Sequence, residues 1–97
     1  MANNVRTAQA GTLESNDIML TVAPGPAGSG IQLDLDSIVL AQYGPAIRQT
    51  ILTVLAESDV TDVYIKAVDR GALDCTIRAR TLAVLGRAGF LLKGELV

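Results

Sequence analysis

Residues 8–23, AQAGTLESNDIMLTVA, decide how the rest of the chain is read. Residues 8–13 are small or β-tolerant, and Ile18, Met19, Leu20, Thr21 and Val22 form a β-prone run. Between the two runs stand Glu14, Ser15, Asn16 and Asp17. Short polar side chains of this kind bond the local backbone, and asparagine tolerates positive φ. The stretch therefore predicts a β-hairpin with Ser15 and Asn16 at its tip.

Working outward, residues 24–30, PGPAGSG, read as a flexible connector. With no lysine after the glycines and no helix directly behind them, they do not form a phosphate-cradling loop. Ile31, Leu33 and Leu35 alternate with Gln32, Asp34 and Asp36, the period of a strand with one buried face. Asp34 and Asp36 then belong to a solvated face and not to an acid/base pair. Residues 38–43 suggest a short helical turn interrupted at Gly44-Pro45. A longer helix is expected to begin at Pro45, where the missing N–H costs nothing. Ile47, Ile51, Val54 and Leu55 share one face of it, and Ser58-Asp59 ends it. Residues 61–68 are β-branched and alternating, hence a strand, and Asp69-Arg70-Gly71 turns into a final helix.

That helix carries Leu73, Ile77, Thr81, Val84, Leu85 and Ala88 on one stripe, with Asp74 and Arg78 four apart and able to pair. Gly86 or Gly89 ends it, and Phe90, Leu91 and Leu92 are expected to pack back as a tail. The order β-β-β-α-β-α predicts an α+β fold: a two-layer sandwich whose mostly antiparallel sheet of about four strands carries two main helices on one face. The 97 residues suit a single domain, with residues 1–5 and 24–30 expected to be flexible.

Composition narrows function by absences. With no histidine and one cysteine, the chain cannot build a Ser-His-Asp or Cys-His triad, a histidine-bearing zinc site or a disulfide of its own. No metal site is expected. Cys75, within the last helix, reads as a small buried hydrophobe. Eight Lys plus Arg against ten Asp plus Glu give a net charge of −2, so neither nucleic acid nor an anionic membrane is an expected partner. The first residues lack the apolar run of a signal peptide and no stretch reaches membrane-spanning length, which predicts a soluble cytoplasmic domain.

Three places could carry chemistry. Arg78 and Arg80, near Arg87, could dock a polyanionic arm or an acidic partner, or could simply form a solvated helix face. Asp36-Ser37-Ile38 resembles the Asp-Ser-Leu attachment signature of ordinary acyl carrier proteins. Those proteins are all-helical, whereas three strands precede Ser37, so Ser37 reads more simply as a helix N-cap. Ser15, exposed at the hairpin tip between Glu14 and Asp17, would be a plain turn serine by physics alone.

Residues 10–19, AGTLESNDIM, together with residues 71–80, GALDCTIRAR, resemble the citrate lyase acyl carrier protein (gamma subunit) family, and residues 42–48, QYGPAIR, resemble its aromatic-Gly-x-x-Ile-Arg segment. The likeness spans nearly the whole chain. It implies a non-catalytic subunit bearing phosphoribosyl dephospho-coenzyme A, joined by a phosphodiester to the serine of a Gly-Thr-x-Glu-Ser motif, here Ser15. The same resemblance implies a transferase (alpha) subunit that exchanges acetyl for citryl on the arm's thiol. It implies a lyase (beta) subunit that then releases oxaloacetate, and a separate enzyme that attaches the arm. Glu14 and Asp17 would serve recognition by that attaching enzyme or shape the turn. A carrier of a citramalate lyase or malonate decarboxylase complex and an unmodified interaction module are the alternatives. Asn16 departs from the glycine or serine expected there, a change the turn tolerates.

Overall fold

A computed structural model describes residues 5–90. The elements follow in the order β1 (Ala8–Gly11), β2 (Ile18–Pro24), β3 (Ile31–Ser37), α1 (Leu40–Glu57), β4 (Val63–Asp69) and α2 (Asp74–Ala88). They form the two-layer α+β architecture expected from the sequence, with one four-stranded sheet in the order β1-β2-β4-β3. β1 with β2 and β2 with β4 pair antiparallel, while β3 and β4 run parallel. A parallel pair needs a crossover, and α1 supplies it between β3 and β4.

Strand alternation builds the core. Ile18, Leu20 and Val22 of β2 are fully buried, as are Ile65 and Ala67 of β4, and the register sets Leu20 beside Ala67 and Val22 beside Ile65. From the helices come Ile47, Ile51, Val54 and Leu55 of α1, and Ile77, Val84, Leu85 and Ala88 of α2. The opposite sheet face carries Gln32, Tyr64, Lys66, Asp34 and Asp36, all exposed. No helix among the described residues is long and apolar enough to cross a membrane.

Several details differ from the expectation. α1 is one continuous helix with Pro45 inside it, not a turn followed by a helix starting at Pro45. Proline can remove only the hydrogen bond to Ala41, and a single turn of helix precedes it, so little structure stands in the way of its ring. Ser37 is not the N-cap, which is Val39; the Ser37 hydroxyl instead accepts the Val39 N–H at 3.1 Å. Leu73 lies off the buried stripe, 69% exposed, because it precedes α2 as its extended N-cap. Cys75 is exposed and not buried, two positions before the core residue Ile77 and so on another side of the helix. Arg78 does not pair with Asp74: its guanidinium reaches Glu57 of α1 at 2.9 Å, while Asp74 accepts the Thr50 hydroxyl at 2.6 Å.

α2 stops at Gly89, whose φ of 102° suits a left-handed C-cap. Phe90 packs against the core; Leu91 and Leu92 lie outside the described residues. Both segments expected to be flexible make contacts with the body of the fold. Val5 packs on the core and the Arg6 N–H donates to the Ala88 carbonyl, with residues 1–4 outside the described residues. The 24–30 connector is held at both ends by Asp62, whose carbonyl accepts the Gly25 N–H and whose carboxylate accepts the Gly30 N–H at 2.9 Å. Bonds from the Gly30 and then the Gly28 N–H hold the Asp62 carboxyl below its ordinary pKa.

Candidate functional site: the hairpin tip

The connection between β1 and β2, residues 12–17, is built for one conformation. Gly11 has φ of +92°, and a Cβ there would sit 1.8 Å from the Ile18 carbonyl oxygen, so only glycine lets the chain leave β1 at this angle. Asn16 takes the left-handed conformation (φ 65°) that asparagine tolerates. The Thr12 hydroxyl accepts the Glu14 N–H and donates to the Asp17 carboxylate at 2.6 Å. The Asp17 N–H returns to the Glu14 carbonyl.

Two longer-range ties fix this loop to the body. The Asn16 N–H donates to the Arg70 carbonyl and the Arg70 N–H to the Asp17 carbonyl, each at 2.8 Å. Arg80 grips Asp17 with a two-pronged bond, Nε to Oδ1 at 3.1 Å and Nη2 to Oδ2 at 3.0 Å. The Thr12 hydroxyl, the Arg80 fork and the Ile18 N–H together lower the Asp17 pKa from 3.8 to about 2. Asp17 thus stays ionised and locked although it lies on a loop.

Ser15 sits at the crest of this fixed loop, exposed, and its hydroxyl has no hydrogen-bond partner among the described residues. A primary hydroxyl with no base hydrogen-bonded to it does not attack on its own, but it is open to an incoming reagent and can be derivatised without losing a hydrogen bond to the protein. Glu14 is exposed next to it. Because Arg80 compensates Asp17, Glu14 is the neighbouring negative charge left facing solvent.

The sequence-derived candidates therefore separate. Ser15, Glu14, Asp17 and Arg80 come together at the tip, Asp17 and Arg80 as a pair 63 residues apart in the chain. Arg78 points to Glu57, and the Arg87 guanidinium donates to the Gln9 carbonyl at 2.9 Å, so the three arginines do not form a single anion-binding face. Ser37 is engaged, its hydroxyl donating to Asp69 at 2.8 Å.

Asp69 was not singled out in the sequence. It is 1% exposed and accepts bonds from the Ser37 hydroxyl, the Gly71 N–H and the Ala72 N–H. Its carboxylate thereby shapes the β4–α2 connection on which the hairpin leans. The signal available was an aspartate at the end of an apolar strand just before a glycine, which also describes an ordinary turn residue.

The family model of the malonate decarboxylase delta subunit (MdcD) matches residues 5–88. The chain is 53% identical over 87 residues to the citrate lyase acyl carrier protein of Streptococcus uberis, covering 90% of this chain and 84% of that one. It is 48% identical over 82 residues to the protein of the same name from Lactiplantibacillus plantarum, covering 84% and 83%. Among solved structures, a chain of a Pseudomonas malonate decarboxylase hetero-tetramer in complex with malonate superposes with a TM-score of 0.62 at 20% identity, over 89% of this chain and 87% of that one, and so shares the fold. With similarity along almost its whole length, the chain belongs to the citrate lyase acyl carrier protein family.

Proposed function

We propose that this chain is the acyl carrier subunit of a citrate lyase complex, bearing phosphoribosyl dephospho-coenzyme A on Ser15 through a phosphodiester. The observation that carries the reading is the exposed, unbonded Ser15 hydroxyl on a loop held by Gly11, Asn16 and the Asp17–Arg80 pair. These residues fit such a group: apart from its proton, the hydroxyl gives up no hydrogen bond on forming a phosphodiester, and the nearby Asp17 charge is already neutralised by Arg80. When bound, the group supplies a thiol on which acetyl and citryl are carried between a transferase and a lyase subunit.

The chain's own work is positional. The rigid tip holds the attachment oxygen clear of the core for the attaching enzyme, with Glu14 as the exposed charge that enzyme would meet. Tethering then keeps the acyl group at high effective concentration near both partner sites. Relatives at about half identity carry the citrate lyase name, which favours citrate over malonate as the substrate of the complex.

The test is the intact mass of the chain purified from its native cell or co-produced with the attaching enzyme, followed by fragment mapping. The expected result is a dephospho-coenzyme-A-derived adduct on Ser15. Ser15→Ala should keep its unfolding free energy within about 0.5 kcal/mol of the parent, as for other exposed loop substitutions. It should lose the adduct and abolish citrate cleavage by the reconstituted complex. Retained cleavage, or an adduct mapped elsewhere, would remove the assignment.

A further inference from the structure

We infer that the groove between α1 and the β4–α2 connection is the resting site for the uncharged acyl-bearing end of the arm on Ser15, an inference that rests on the function proposed above. The groove has a volume of about 390 Å³, within the roughly 300–1,000 Å³ of small-molecule sites. Val39, Ala46, Ile47, Ala72 and Ile77 make it largely apolar. Two further wall residues, Tyr43 and Leu73, are 51% and 69% exposed, more apolar surface than folding alone explains.

Continuity with the hairpin tip selects the occupant. Gly71 lines the groove, and Asn16, the residue after Ser15, places its Oδ1 3.6 Å from where a Gly71 Cβ would stand. The Asn16 N–H also donates to Arg70, the residue before Gly71. The attachment loop therefore forms one shoulder of the groove. At the α1–α2 end, the Thr50 hydroxyl and the Asp74 carboxylate, 2.6 Å apart, offer acceptors for amide N–H groups. That combination suits a slender chain of methylenes and amides ending in a thiol or a small thioester.

Charge sets which acyl group rests there. Asp69 and Asp74 are among the lining residues, and no lysine or arginine is. An acetyl thioester enters without electrostatic cost, whereas a citryl thioester would bring free carboxylates against these aspartates. The groove thus shields the acetyl state and favours presentation of the citryl state to the partner subunits.

The experiment compares amide chemical shifts of isotope-labelled full-length chain with and without the arm, the adduct being verified by intact mass. Attachment should shift Tyr43, Ala46 and residues 71–73 as well as the tip. Ala46→Trp, on an exposed helical position at the groove wall, should erase the groove shifts while the adduct mass remains. In a Cys75→Ser background, iodoacetamide should alkylate the arm thiol about threefold more slowly than free coenzyme A, the protection given by two-thirds occupancy. Ala46→Trp should restore the free rate. An adduct on Ser15 with shifts confined to residues 12–18 would overturn the inference and leave the carrier function standing. So would groove shifts that arise only when partner subunits are added, since the groove would then be a docking surface for them. Absence of any adduct from native material would overturn both.

Discussion

At the scale of single residues, the tip works because local turn chemistry and one distant arginine agree. Thr12, Glu14 and Asp17 would form a turn in many settings, but a turn alone leaves Asp17 in solvent; Arg80 of α2 converts it into a fixed post for Ser15. The Asp17 pKa is lowered in the folded chain from 3.8 to about 2. Its contribution is therefore fully present above pH 3.8 and is lost as pH falls from there toward 2. Arg80→Met should cost about 1 kcal/mol at neutral pH, the scale of a partly exposed charge-assisted bond. It should also flatten the loss of stability between pH 4 and pH 2, though not abolish it, since Thr12 and Ile18 still bond the carboxylate. Urea titrations of parent and variant across that range check this; an unchanged acid slope would show that the pair does not couple the tip to the fold.

At the scale of elements, the same residue types mean different things according to what lies before them. Pro45 and Gly44 read locally as a break, yet α1 runs from Leu40 to Glu57 through both, because only one turn of helix precedes Pro45 and its ring removes a single backbone hydrogen bond. Since Pro45 still deprives the Ala41 carbonyl of its helical donor, Pro45→Ala should stabilise the chain by about 1 kcal/mol, less than the roughly 3 kcal/mol of a mid-helix proline because only one turn precedes it. Chemical denaturation measures the gain; a loss would mean that the proline rigidifies the β3–α1 junction. That junction and the β4–α2 connection meet at Asp69, whose carboxylate receives both the Ser37 hydroxyl and the N–H groups of Gly71 and Ala72. A serine that resembled an attachment site is thus a strut between two elements.

At the scale of the whole molecule, both helices bury their apolar faces against one side of one sheet, so the parts should not melt separately. Leu20, fully buried at the centre of β2, ties the hairpin to this core. Leu20→Ala should cost about 2–5 kcal/mol, a large part of a small domain's total. Far-ultraviolet circular dichroism and the fluorescence of Tyr43 and Tyr64 should still report one coincident transition; two transitions would show that hairpin and helices are separate cooperative units. Strand alternation, helical periodicity and turn chemistry are properties of neighbours in the chain, which is why the order of elements, the hairpin and the exposure of Ser15 were legible from residues alone. The family, too, was legible from residues 10–19 and 71–80, which are contiguous motifs. Tertiary structure decided the parallel β3–β4 pairing, the passage of α1 through Pro45, and the exposure of Cys75. It also decided the partners of Arg78, Arg80 and Asp69. Those outcomes depend on which groups meet across tens of residues. A long cationic side chain pairs with whatever carboxylate packing brings within 3 Å, and four-residue spacing only offers it a candidate.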